Sequence, residues 1–118
     1  MFQMSLRLAR VNELVKREIG NFLSTRYGAE TVRWTITSVD VAADLRNATV
    51  AYSVIGDDLC AREAQYFFRK HASEIRGIVS KNIVLKYSPK LQFVRDLGIE
   101  RGNRVMEILD DLDHSSEV

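Results

Sequence analysis

The sequence predicts an α+β fold, in which helices pack against one face of a small sheet. Stretches with apolar residues three or four positions apart predict helices, and stretches rich in β-branched residues predict strands. Their order is helix, strand, strand, helix, helix, strand, helix. The length of 118 residues fits one domain. We therefore expect a single domain over 1–118, with a core of about 7–96 and three strands in one sheet.

The first helix is predicted over 7–25 because its apolar residues recur at helical spacing. Charged side chains occupy the positions between them. The residues expected to face the core are Val11, Leu14, Val15, Ile19 and Phe22. Gly28 is predicted to lie in the turn that follows.

The next two predicted strands form an antiparallel hairpin over 31–41 and 48–55. In the first strand, Val32, Trp34 and Ile36 alternate with polar residues. Beyond Ser38 the apolar positions change parity, which predicts a β-bulge near that residue. The polar segment 42–47 supplies the turn.

Residues 56–83 carry a helical pattern in two parts. Asp57 or Asp58 is expected to cap the first helix by accepting hydrogen bonds from its free N–H groups. The segment 70–73, KHAS, predicts a kink or a tight turn between the two helices. The residues expected to be buried are Leu59, Ala64, Phe67 and Phe68 in the first helix, and Ile75, Ile78 and Val79 in the second.

The third strand lies within 85–96, a stretch that contains the only proline of the chain, Pro89. Proline has no N–H to donate to a sheet, so we place the regular strand after it, at 90–95. Leu91 and Phe93 should then face the core, together with Trp34 and Phe67. A last helix is predicted over about 99–112, followed by a frayed acidic tail at 113–118.

Composition limits where the protein acts. The chain has 46% hydrophobic residues and a net charge of +1. Its single Cys60 cannot form an internal disulfide, which is typical of a reducing compartment. We find neither a signal-peptide pattern nor an apolar run of the roughly 18 residues that a membrane helix requires. We therefore expect a cytoplasmic protein without a membrane partner.

The sequence offers no evidence for catalysis, a metal or a cofactor. Its histidines are His71 and His114, and neither belongs to a cluster of metal ligands at a recognisable spacing. Cys60 lacks a nearby base, as a nucleophile would require. The motifs GxxxxGK[ST] and GxGxxG are absent from the sequence. We expect no enzyme activity.

Charge is concentrated in two segments. Residues 69–95 contain seven Lys and Arg against a single acid, Glu74, whereas 107–118 contain five acids and no Lys or Arg. A basic segment predicts an anionic partner, although it can also be a solvated surface. A turn at 70–73 would direct helix N–H groups towards phosphates. The cationic candidates for RNA binding are Arg69, Lys70, Arg76, Lys81, Lys86 and Lys90.

Four stretches carry a resemblance to a known family: RLARVNELVKREI, SVDVAADLRNATVAYS, IRGIVSKNIVLKYSPKLQFVRD and GNRVMEIL. In this order and spacing, the sequence resembles the ribosome-binding factor A family over about 7–112. The resemblance implies a type II KH-like fold, with the predicted C-terminal helix added. It also implies an assembly factor that is not an enzyme. Such a factor binds the immature small (30S) ribosomal subunit and its 16S rRNA, promotes late maturation and 5′-end processing, and is associated with growth in the cold.

At the centre of the domain, the chain departs both from the general KH pattern and from the pattern of the resembled family. KH domains use a GxxG loop there, which the family resembled here replaces with a helix–kink–helix carrying a small residue and a glycine. This chain has His71, Ala72 and Ser73 at those positions, without the glycine. The match adds His71 and Ser73 to the candidate RNA contacts. Assembly GTPases are a further candidate partner, and we expect a monomer.

Two alternative functions stay open at this stage. The chain can be a KH-type RNA binder that acts elsewhere, or a protein-interaction domain without an RNA role. Co-sedimentation with small subunits separates the first alternative from ribosome assembly. Salt-sensitive binding to RNA separates the second alternative from both RNA-binding functions, because a protein-interaction domain would not show it.

Overall fold

The structure is a computed structural model that describes residues 6–98. The elements of this part are α1 (Leu6–Arg26), α2 (Gly28–Thr31), β1 (Trp34–Val41), β2 (Asn47–Val54), α3 (Asp58–Asn82) and β3 (Lys90–Arg95). The predicted α+β class with a three-stranded sheet is confirmed. The predicted helix at 99–112 and the tail at 113–118 lie outside the described residues.

The sheet has the order β1-β2-β3. β1 and β2 are antiparallel, as predicted for a hairpin. β3 runs parallel to β2, because α3 carries the chain back along the sheet between them. α1 packs on β1, and α3 packs on β2 and β3. Alternate residues of β2 are buried beneath the helices, namely Ala48, Val50, Tyr52 and Val54.

The buried stripe of α1 holds this helix against the sheet. Val15, Ile19 and Phe22 are buried, as predicted, whereas Leu14 is 40% exposed. The core stripe is therefore displaced around the helix from the predicted one, because Leu23 is buried and Leu14 is not. Asn12 is also buried, and its Oδ1 accepts a hydrogen bond of 2.8 Å from the backbone N–H of Val41. This polar contact joins α1 to the end of β1.

The predicted β-bulge in β1 is confirmed. Ile36 pairs with Tyr52 and Ser38 pairs with Ala51, so Thr37 is the additional residue. Its hydroxyl donates to a carboxylate oxygen of Asp96 at 2.8 Å. The extra residue turns the strand, so that Ile36 and Val39 are both buried.

The start of β1 differs from the prediction. Gly28–Thr31 form the short helix α2 in place of a simple turn. β1 begins only at Trp34, and Val32 is 75% exposed because it precedes the strand. The apolar alternation therefore overestimated the length of this strand.

The predicted break at 70–73 is wrong. α3 is helical without interruption over 25 residues, and Asp57 caps its beginning by accepting from the backbone N–H of Cys60. Residues 70–73 contain neither Gly nor Pro, and Phe68 and Ile75 keep the buried side continuous on both sides of them. Helix N–H groups consequently have partners throughout this segment, and the expected phosphate site at a second helix N-terminus does not form. Leu59, predicted to be buried, is 62% exposed.

The segment around Pro89 explains how the third strand begins. Pro89 is buried and lies immediately before β3, so no hydrogen bond of the sheet is lost. The N–H of Lys90 then donates to the carbonyl of Arg46 at 2.9 Å. The strand bounds and the inward direction of Leu91 and Phe93 are confirmed. Of the four predicted core residues, Phe67 is buried, whereas Trp34, Leu91 and Phe93 are partly buried at the margin of the core.

Within residues 6–98, no helix is long and apolar enough to span a membrane.

Candidate nucleic-acid interface

One flank of α3 carries a row of exposed arginines. Arg62, Arg69 and Arg76 are seven residues apart, which is nearly two full turns, so they point in nearly the same direction. Successive members are about 10 Å apart along the helix axis. Arg62 and Arg69 form no ion pair or hydrogen bond with another described residue. We call these three residues the arginine ridge.

Arg76 connects this ridge to the loop before β3. Its Nε donates to the Ser88 hydroxyl at 3.2 Å, and one terminal nitrogen donates to the Ser88 carbonyl at 2.7 Å. Ser80 of α3 contacts the same Ser88 hydroxyl. The guanidinium has five N–H groups, so donors remain for an external acceptor. Arg76 therefore holds the loop on α3 and also completes the ridge.

A second group of cations surrounds Tyr87 in that loop. The guanidinium carbon of Arg46 lies 4.3 Å from the centre of the Tyr87 ring, and the Lys86 ammonium lies 5.5 Å from it. Lys90 is exposed, and its backbone N–H is hydrogen-bonded to the carbonyl of Arg46. We call Arg46, Lys86, Tyr87 and Lys90 the loop cluster. Because Tyr87 is adjacent to Ser88, the arginine ridge leads directly into it.

The other predicted cations of α3 lie on the opposite flank. An α-helix turns by about 100° per residue, so the Cα–Cβ directions of Lys70 and Lys81 lie roughly 100° or more around the helix axis from those of the ridge. The Lys70 ammonium lies 5.9 Å from the Tyr66 ring, and Lys81 is in the last turn of α3. The six predicted cations therefore do not form one face. Ser73 is exposed between the two flanks.

His71 has a packing position between α3 and the end of α1. The centre of its ring lies 4.2 Å from the centre of the Phe67 ring and 4.8 Å from that of the Tyr27 ring, and its side chain is 16% exposed. Its Nδ1 is 3.0 Å from a carboxylate oxygen of Glu74. The predicted RNA contact through this ring stays a prediction, and the structure gives the ring a set of protein neighbours.

Glu74 joins three groups at this point. It accepts hydrogen bonds from the Tyr27 hydroxyl at 3.1 Å and from Arg26 at 3.4 Å, in addition to its contact with His71. The hydrogen bond with His71, aided by that with Tyr27, holds the pKa of Glu74 below its usual value. Burial and the Glu74 carboxylate raise the pKa of Tyr27. Glu74 is the only acid in 69–95, and its charge is turned towards α1 and away from the ridge.

The described residues contain no group of three or more His, Cys, Asp or Glu side chains that is placed to hold a metal ion. The polar groups that the fold gathers are cations and hydroxyls. Their chemistry suits the oxygen atoms of phosphate groups, because guanidinium and ammonium groups donate charged hydrogen bonds.

Comparison with known proteins identifies the family. The sequence profile described as "Ribosome-binding factor A" matches residues 7–109. The Ribosome-binding factor A of Opitutus terrae is 42% identical over 96% of this chain and 93% of its own length. The chain belongs to the ribosome-binding factor A family. A relative of the same name from Heliobacterium modesticaldum is 32% identical over 94% of this chain and 93% of its own length.

Solved structures of this family share the fold. The crystal structure of ribosome-binding factor A from Thermus thermophilus superposes with a TM-score of 0.66 at 12% identity, covering 75% of this chain and 94% of that one. A homology model of the Thermus thermophilus factor, fitted into a cryo-EM map of a 30S complex, gives a TM-score of 0.58 at 12% identity, over 70% of this chain and 88% of that one. At these identities the likeness concerns the fold, and it confirms the predicted KH-like architecture.

Sequence analysis of this member of the ribosome-binding factor A family did not include two of the cations of the candidate interface. Arg62 precedes the basic segment in the chain, but its distance of seven residues from Arg69 indicated a shared flank. Arg46 lies in the turn before β2, and only the pairing of β2 with β3 brings it beside Lys90. Arg69, Arg76, Lys86 and Lys90 were predicted, and the fold places them along this side.

Proposed function

We propose that this protein is an assembly factor that binds the immature small (30S) ribosomal subunit through its 16S rRNA. It promotes late maturation of the subunit, including processing of the RNA 5′ end. It acts in the cytoplasm as a monomer, by binding and not by catalysis, and its contribution is largest in the cold. Assembly GTPases are candidate partners on the same subunit.

The observation that carries this proposal is the continuous basic side formed by the arginine ridge and the loop cluster. Phosphate contacts from such side chains position a protein on RNA without reading its sequence. Membership of the ribosome-binding factor A family supports the choice of the small subunit, since the Thermus thermophilus relative has been fitted into a map of a 30S complex.

Site-directed crosslinking tests which side of the protein faces the RNA. Cys60 is the only cysteine, so a Cys60→Ser background permits a single photoreactive group at a chosen position. Ser73→Cys places this group beside the ridge, and Thr49→Cys places it on the exposed face of the sheet. We expect crosslinks to rRNA of purified small subunits from position 73 and few from position 49. The reverse distribution would contradict the proposed interface.

A cellular assay tests the role in maturation. The double variant Arg62→Gln/Arg69→Gln should cause precursor rRNA with an unprocessed 5′ end to accumulate, more strongly at low temperature. The matched control Arg17→Gln/Lys81→Gln removes the same charge from exposed positions away from the ridge. Mature 5′ ends in the ridge variant, with protein levels unchanged, would contradict the proposed role.

A further inference from the structure

A cavity borders the flank of α3 that carries Lys70, and Arg62 is the residue that it shares with the basic side. It has a volume of about 520 Å³ and lies between α3, α2 and the start of β1. Four aromatic or imidazole rings line it, namely Trp34, Tyr66, Phe67 and His71. The Phe67 ring packs against the rings of Trp34 and His71, with distances between ring centres of 5.1 Å and 4.2 Å. The wall is therefore a continuous aromatic surface.

We propose that this cavity binds one unstacked base of an RNA strand, and that it prefers guanine. The proposal rests on the proposed function for the origin of the RNA. Aromatic side chains bind single-stranded RNA by stacking with bases that are displaced from a helix. A volume of this size lies within the range typical of small-ligand sites, and a single base fills only part of it.

The charges at the rim suit a neutral ligand. Arg62 and Lys70 contribute two positive charges, and Glu30 and Glu63 contribute two negative ones. A phosphate would be attracted by the first pair and repelled by the second. A base carries no formal charge, and it can donate hydrogen bonds to carboxylates. The balance of charge therefore assigns the cavity to a base and leaves the phosphates to the ridge.

The two carboxylates provide the preference for guanine. Neither Glu30 nor Glu63 has an ion pair or a side-chain hydrogen bond with another described residue, so their oxygens remain available. A carboxylate offers two acceptor oxygens side by side. Guanine presents two neighbouring N–H donors on its Watson–Crick edge, whereas adenine and cytosine present a donor beside an acceptor. Uracil has a single donor between two carbonyls.

Arg62 connects the cavity to the interface described above. It is the first member of the arginine ridge and also lines the cavity. From Arg62 to Tyr66 and Lys70, the rim follows α3 in steps of four residues, about one turn each. A strand whose phosphates contact the ridge can therefore insert a neighbouring base between Tyr66 and Trp34.

The intrinsic fluorescence of Trp34, the only tryptophan, reports directly on an occupied cavity. The full-length protein is titrated with the pentaribonucleotides UUGUU and UUUUU and with guanosine 5′-monophosphate. We expect UUGUU to quench the fluorescence and to bind about tenfold more tightly than UUUUU, as one base-specific contact provides. The monophosphate should bind more weakly than UUGUU, because it lacks the flanking phosphates.

Two sets of variants identify the cavity as the site. Tyr66→Ala should weaken UUGUU binding by about tenfold, which is typical of the loss of one stacking partner. Tyr66 is 66% exposed, so the variant should fold normally, and Leu59→Ala, at a position 62% exposed on the same helix, is the control. Glu30→Gln/Glu63→Gln should abolish the difference between UUGUU and UUUUU.

Four results would overturn the proposal. Equal quenching by both pentanucleotides would remove the preference for guanine, and equal affinity for the monophosphate would assign the cavity to a free nucleotide. Quenching by proteins extracted from the small subunit, with none by RNA, would assign it to a protein partner. If small subunits still bind while no pentanucleotide quenches Trp34, the cavity proposal fails and the proposed function remains.

Discussion

At the scale of single residues, Glu74 links three groups and should make stability depend on pH. Its pKa is lowered from an ordinary value of 4.5, mainly by the hydrogen bond with His71. A carboxyl group with a lowered pKa in the folded state stabilises the fold above its unfolded pKa. That contribution is lost as the pH falls through the folded value.

Glu74→Gln should therefore lower the free energy of unfolding at neutral pH, and its difference from the unmodified protein should decrease below about pH 4. Urea denaturation at several pH values measures the free energy of unfolding of the variant and of the unmodified protein, and hence their difference. Glu63→Gln is the control, because Glu63 is exposed on the same helix and has no described ion-pair partner. A difference that stays constant down to the acid limit would show that the hydrogen bonds of Glu74 do not favour its ionised form.

Arg76 is a second residue with a specific local effect, because it holds the loop at Ser88. Arg76→Gln removes both hydrogen bonds, so amide hydrogen exchange should become faster over residues 84–88. Arg69→Gln removes the same charge from a ridge position without a bond to the loop, and exchange there should not change. Equal exchange in the two variants would mean that Ser80 and Pro89 suffice to order the loop.

At the scale of elements, the continuity of α3 is tested most simply at Ser73. This residue is exposed and lies inside the segment for which sequence analysis predicted a turn. In a helix interior, Gly is about 1 kcal/mol less favourable than Ala. Ser73→Ala should therefore be more stable than Ser73→Gly by about that amount, with the native serine between them. Equal stability of the two variants in chemical denaturation would indicate that residue 73 is not helical.

Because of the way α3 packs on the sheet, two stacked phenylalanines should contribute unequally to the free energy of unfolding. The rings of Phe68 and Phe93 are stacked 4.8 Å apart, but only Phe68 is fully buried. Phe68→Ala should cost about 3–5 kcal/mol of unfolding free energy, as is typical of a packed aromatic residue. Phe93→Ala should cost less, since part of its ring is already in contact with solvent. A larger loss for Phe93 would place the centre of the core nearer to β3.

The sequence predicted the elements whose patterns are local. Alternation, the parity change at Ser38 and the absence of an N–H in Pro89 were sufficient for the hairpin, the bulge and the start of β3. The failures arose where packing outweighed a local signal. KHAS is polar enough to predict a turn, but Phe68 and Ile75 on either side of it are packed in the core and keep α3 continuous.

At the scale of the whole molecule, the basic segment of the chain does not correspond to one basic side. Helical geometry separates Lys70 and Lys81 from the arginine ridge, and the pairing of β2 with β3 brings Arg46 into the loop cluster. Position along the chain could identify cations, but it could not assign them to a flank. The cavity at Trp34 could not be predicted in this way either, because it joins residues of α2, β1 and α3.

The central claim is that the ridge side of α3 contacts the rRNA of the small subunit. The most direct measurement is the affinity of full-length protein for purified small subunits at several salt concentrations. Each phosphate contact contributes about 0.7 to 0.9 to the slope of log affinity against log salt, through release of counterions. Circular dichroism confirms that each variant is folded.

Arg62→Gln/Arg69→Gln should weaken binding and reduce this slope by about 1 to 2, whereas Arg17→Gln/Lys81→Gln should leave the slope nearly unchanged. The two variants differ in the flank that loses charge and not in how much charge is lost. A folded ridge variant with unchanged affinity and slope, or an equal loss in the control, would contradict the claim.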